Sequence, residues 1–169
     1  DFDAGVTGLS VLAFLGAGYS HLSKDTYDGI RFGDVVFKAL LWILPQQDAE
    51  GCIGSRQAQK YFFNHLLCAW ALSEAYGMTG SKLFRDQAQK AIDFIIAAQN
   101  PGSGWRYSHR SGDNDSWVTC LAAMVLHSAA ISGLSFPRTG FDGTRAWLDQ
   151  VTGADGRVGY DERGSGKIV

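Results

Sequence analysis

Several signals that would settle a function at once are missing. No phosphate-binding glycine loop follows a strand, and no Gly-x-Ser-x-Gly elbow occurs. Three cysteines, Cys52, Cys68 and Cys120, are too few and too odd in number for a disulfide framework. They fit buried thiols or a reducing compartment such as the cytoplasm. Charged residues make up only 19% of the chain and the net charge is -2. That balance makes no electrostatic case for nucleic acid or for an anionic membrane. One stretch, Ala4 to Leu22, lacks every Asp, Glu, Lys and Arg. It also lacks a basic lead-in and contains four glycines and two serines, so it reads as a core helix and not as a transmembrane span or signal peptide. Ser116 to Pro137 is equally uncharged and lies mid-chain, which supports the same reading.

What is present is a repeat. The stretch Ala91 to Trp105, AIDFIIAAQNPGSGW, is a helix that runs into a glutamine, a glycine-rich turn and a tryptophan. It has counterparts at Trp42 to Ile53 and at Trp147 to Val158. Aligning Trp42, Phe94 and Trp147 brings Gln47, Gln99 and Thr152 together, then Gly51, Ser103 and Gly156, then Ile53, Trp105 and Val158. The spacing is 52 residues and then 53, in the range of repeat architectures. A second match agrees: DFDAGVTGL, from Asp1, and DNDSWVTCL, from Asp113, share Asp, Asp, Val, Thr and Leu at the same offsets. The 169 residues, 46% of them hydrophobic, make one repeat domain with units at about 1–55, 56–112 and 113–169. The chain opens inside a repeat signature without an initiator methionine, so it reads as a fragment of a longer protein.

Each unit predicts two helices. The odd ones, near 5–19, 56–76 and 115–132, are apolar nearly all round and are expected to be buried on most sides. Of the even ones, near 34–46, 82–99 and 142–151, at least the fourth and sixth become amphipathic. Lys82, Arg85, Asp86 and Gln89 face one way in the fourth, and Phe84, Ala88, Ala91 and Ile95 the other. Ser20 to Gly33 is expected to be a polar connection, and Pro45 ends the second helix. The fold class is therefore all-α: three helical hairpins in an inner and an outer layer, of the kind that curve into a barrel or solenoid.

The spacing Gln47-Asp-Ala-Glu-Gly51-Cys-Ile53, and its looser copies from Gln99 to Trp105 and around Gly156, resembles the QW-type repeat of squalene and oxidosqualene cyclases. A degenerate form occurs in the β subunits of protein prenyltransferases. The resemblance covers nearly the whole chain as a repeat pattern. It implies an α/α toroid around a central apolar cavity, of which three hairpins form about half. It also implies that Gln47, Gly51, Gln99, Trp105 and Gly156 are structural ties between a turn and a neighbouring helix end.

Within that resemblance, Asp113-Asn-Asp115-Ser is similar to the Asp-x-Asp-Asp motif with which class II terpene cyclases protonate an alkene or epoxide. Ser116 replaces the last acid, and the motif recurs as Asp1-Phe-Asp3-Ala. Asp113 and Asp115 are thus candidate acids, and the competing reading is a helix N-cap used twice. Asn64 and His65 fall at the helix start that matches Thr7 and Thr119, with Tyr61 and Trp117 nearby. If those helix starts rim a cavity, these six residues line it, and the aromatic ones offer cation–π walls. The Asp-x-Cys of the prenyltransferase zinc site is absent, as is the Cys-Gly-Glu-Gln of thioester-containing toroids. His65 and Cys68 sit three apart without a second ligand pair, so neither a metal nor a cofactor is expected. The expected partners are an apolar small-molecule ligand and the remaining half of the toroid or a self-associated copy. The function these readings support is a cavity for an isoprenoid or other apolar substrate, or alternatively a non-catalytic repeat module that binds a protein or ligand.

Overall fold

The computed structural model describes residues 2–166. Its six α-helices are α1 (Asp3–Gly16), α2 (Phe32–Ile43), α3 (Tyr61–Thr79), α4 (Lys82–Ala98), α5 (Ser116–Ile131) and α6 (Thr139–Val151). The class is all-α. A 3₁₀ turn, Leu44–Gln46, closes α2 around Pro45. Between α1 and α2 the expected polar connection holds a small hairpin, β1 (Thr26–Tyr27) with β2 (Ile30–Arg31). Asp28 and Gly29 at its tip both have positive φ, the geometry that an Asp-Gly pair supplies in a two-residue turn.

Helices α1, α3 and α5 pack side by side with α3 in the middle, and each carries its successor: α2 on α1, α4 on α3, α6 on α5. The pairs share one core. On α4, Phe84, Ala88, Ala91, Ile92 and Ile95 are buried at helical spacing, and on α2 the same spacing buries Val36, Leu40 and Ile43. Close packing of α1 on α3 depends on Gly8. A Cβ there would stand 2.9 Å from the Cys68 backbone nitrogen, so only hydrogen fits.

One expectation fails in part. Helix α3 is buried on most sides, but α1 and α5 are not. Val6 and Leu9 on α1, and Trp117, Met124 and Ile131 on α5, are all exposed. The cause is position in the row. Helix α3 has neighbours on both flanks and at its back, whereas α1 and α5 each have one flank without a helix among the described residues.

The three glycine-rich turns share a hydrogen-bond pattern. The N–H groups of Asp48, Asn100 and Gly153 donate to the carbonyls of Cys52, Gly104 and Arg157, at 2.8, 3.0 and 2.8 Å. Those of Gly51, Ser103 and Gly156 donate back to Asp48, Asn100 and Gly153. Gly51 has φ +97, and a Cβ on it would lie 2.3 Å from the Lys90 carbonyl, so this turn needs glycine on both counts. The glutamines act as ties. Gln47 Nε2 donates to the Gly51 carbonyl of its own turn at 3.1 Å and to the Gln87 carbonyl of α4 at 3.0 Å. Gln99 Nε2 donates to Ser103 at 2.8 Å and to Thr139 and Gly140, at the start of α6, at 3.4 and 3.2 Å. Thr152, in the third copy, bonds back to Leu148 of its own helix. Trp105 is fully buried and its indole N–H donates to the Ile95 carbonyl at 2.7 Å.

Candidate functional site

The uncovered faces of α1, α3 and α5 form an apolar groove. Two adjoining cavities occupy it, of about 370 and about 800 Å³. Helix α1 contributes Val6 and Leu9, α3 contributes Phe63 and Leu67, and α5 contributes Trp117. The helices place these residues here because each is apolar on its second face as well as on its core face. An apolar hollow with few polar groups is what a small hydrophobic ligand needs. At one rim, the Lys60 ammonium lies 4.8 Å from the centre of the Tyr107 ring, a cation–π distance. Along the groove, Glu74 is fixed by the Trp70 indole N–H at 3.2 Å and by the Ser128 hydroxyl at 2.7 Å.

Of the six residues expected to line a cavity, Asn64 and Trp117 line the smaller one. The other four do not line either cavity. His65, on α3, is wholly buried and turned away from the groove toward the first turn and α4. Its Nδ1 accepts the Ile53 N–H at 3.0 Å, and its Nε2 lies 3.1 Å from the Ala91 carbonyl, which fixes the proton on Nε2. Burial lowers its pKa to about 4. It is a structural bracket between the first turn and α4. Thr119 does the matching work one unit later, where its hydroxyl oxygen accepts the Trp105 N–H at 3.0 Å. Tyr61 is also buried, and its hydroxyl accepts the His109 N–H at 2.8 Å. Thr7 is half-buried on α1.

The two candidate acids part company. Asp113 is exposed and pairs with the Arg106 guanidinium. Asp115 is fully buried, and its Oδ1 accepts the Val118 N–H at 2.7 Å, so it is the N-cap of α5. Its Oδ2 has no hydrogen-bond partner. Arg106 Nε stands 3.8 Å from it. Burial raises the Asp115 pKa, against the Val118 N–H, the Tyr160 hydroxyl and the Arg106 charge, which all favour the carboxylate. The motif does not cap twice. Phe2 occupies the cap position of α1 without a side-chain cap bond, Asp3 is in the first turn, and Asp1 lies outside the described residues.

Two wall residues escaped the sequence reading, Tyr107 and Tyr160. A signal for them existed. Carried two positions past Trp105 and Val158, the 53-residue frame aligns one tyrosine with the other. Their hydroxyls lie 2.6 Å apart.

The Cys68 thiol donates to the Ala4 carbonyl at 3.0 Å, and burial pushes its pKa up to about 12, so it holds its proton. Among the described residues, no three His, Cys, Asp or Glu side chains converge as metal ligands. Nor is any described helix long and apolar enough to cross a membrane. The class defined here is an all-α protein with an apolar groove across the faces of three adjoining helices. Comparison with protein-family models, with curated protein sequences and with solved structures finds no match to this chain.

Proposed function

We propose that this chain is a run of three hairpins of the α/α-toroid type, similar in build to terpene cyclases and protein prenyltransferases. In this reading α1, α3 and α5 form the inner layer and α2, α4 and α6 the outer one. The inner faces make part of a cavity for an isoprenoid or another apolar ligand. The observation that carries the reading is the apolar groove itself, lined by the second faces of all three odd helices. The shared hydrogen bonds of the three turns and the forward-reaching Gln47 and Gln99 support a repeated unit. The activity stays unassigned, because Asp113 is engaged at the surface and Asp115 spends one oxygen on a cap.

Trp117, exposed in the groove wall, provides the test. Titration with farnesol is expected to give a saturable change in tryptophan fluorescence and a higher Tm. Trp117→Phe removes most of the fluorescence change and keeps the rise in Tm. A titration that moves neither signal sinks the reading. The alternative is a non-catalytic module whose groove is covered by protein, either further hairpins or a second copy. Ile131, 76% exposed at the end of α5, favours it, since large uncovered apolar patches mark contact surfaces. Sedimentation equilibrium decides the second-copy case: a monomer at every accessible concentration excludes it.

A further inference from the structure

Besides Lys60 and Asn64, the smaller cavity has a polar pair that an apolar ligand leaves unused. Tyr107 and Tyr160 both line it, and their hydroxyls meet at 2.6 Å. Asp115 precedes Ser116, whose N–H donates to the Tyr160 carbonyl at 2.8 Å, and it is fully buried, with Oδ1 committed to the Val118 N–H and Oδ2 unpartnered. Two tyrosines bring two O–H donors, and one is spent between them whichever way it points. The second must go either to the cavity or to the carboxylate. A buried carboxylate oxygen needs a donor more than an apolar cavity does. The order that satisfies every group is Tyr107 O–H to Tyr160 Oη, then Tyr160 O–H to Asp115 Oδ2. Both protons are then used, and only the lone pairs of Tyr107 remain for an occupant.

We propose that the Tyr107 hydroxyl, polarised through Tyr160 by Asp115, is the polar subsite of this cavity and accepts a hydrogen bond from the hydroxyl group of an apolar alcohol. The inference rests on the apolar-ligand reading and narrows it to a ligand class. An ether or ketone cannot donate and gains nothing from Tyr107. Its oxygen would turn to Lys60 at the rim instead.

The test uses two probes on the full chain, 1-decanol and decyl methyl ether, with tryptophan fluorescence as the readout. Tyr107→Phe is expected to weaken decanol about tenfold, the worth of one hydrogen bond to a polarised acceptor, and to leave ether binding unchanged. Tyr160→Phe frees the Tyr107 O–H toward the cavity and should tighten the ether. The proposal is overturned if decanol is unaffected by Tyr107→Phe, if both probes weaken together, or if Lys60→Met weakens decanol where Tyr107→Phe does not. If neither probe binds the native chain, the apolar-cavity reading fails and the subsite with it. A ligand-free measurement tests the chain of hydroxyls separately. In a carbon-13 NMR titration of the Asp115 carboxyl, Tyr160→Phe should raise its pKa, because a group that favours the carboxylate is gone. An unchanged pKa breaks the connection and overturns the proposal.

Discussion

Helices α3 and α5 are built from the same kind of sequence, yet α3 buries eleven of its 19 residues and α5 seven of its 16. Both are almost free of charge, and both follow a glycine-rich turn that they bracket with one side chain, His65 in the first case and Thr119 in the second. The difference lies in their neighbours. Packing of α1 and α5 on its two flanks turns more than half of α3 into core, while α5 keeps one flank apolar and open. Apolar composition therefore marks a face that is destined for contact. It does not say whether the contact is already made within these residues.

Three measurements sharpen or break this comparison. The largest effect is expected from truncation. Leu72→Ala on α3 removes a fully buried side chain and should cost about 2–5 kcal/mol in urea denaturation. Met124→Ala on α5, which is 49% exposed, should cost less than about 1 kcal/mol. Equal costs would mean that the α5 face is covered in solution.

The second effect is a pH dependence confined to the α3 bracket. His65 is held neutral, with its pKa lowered by burial from 6.5 to about 4. The unfolded chain takes up a proton below pH 6.5 that the folded chain refuses until about pH 4. Its contribution is therefore complete above pH 6.5 and declines as the pH falls through that window, by at most about 3 kcal/mol. His65→Asn keeps an acceptor for the Ile53 N–H and removes the titration. The two stability-against-pH curves should converge toward pH 4, and parallel curves would refute the neutral bracket. Thr119 has no proton to exchange, so α5 shows no counterpart.

The smallest effect concerns the start of α5. Asp115→Ala deletes the cap bond to Val118 and should cost about 1–2 kcal/mol. Asp115→Asn keeps the cap acceptor and should cost less than Asp115→Ala. A loss with Asn as large as with Ala would show that the second carboxylate oxygen, and not the cap, is what the fold needs.

Much of the helical layout was legible in the sequence. Helix α4 begins at Lys82 and ends within a residue of expectation, because its charged and apolar faces alternate at helical spacing and Gly80 stands before it. The Asp28–Gly29 hairpin was missed although its dipeptide is a strong turn signal, since the strands it joins are only two residues each. Of the candidate site, Asn64 and Trp117 were found from their place at helix starts. His65 was misjudged for a physical reason. A histidine at a helix start faces either the groove or the preceding turn, and only the Ile53 and Ala91 backbone groups, far apart in sequence, decide which. Tyr107 and Tyr160 lie on turns, where hydrophobic periodicity is silent and only the repeat frame could pair them.

The glutamine ties also have a direction. Gln47 reaches 40 residues ahead to Gln87, and Gln99 reaches 40 ahead to Thr139. Neither reaches back. On a polypeptide growing from its N-terminus, each turn stays unlatched until the helix it is tied to, α4 or α6, has been made. The order of synthesis is thereby also the order of locking. Each finished hairpin becomes the template on which the next is seated, and a pause between units would leave one loose turn at a time.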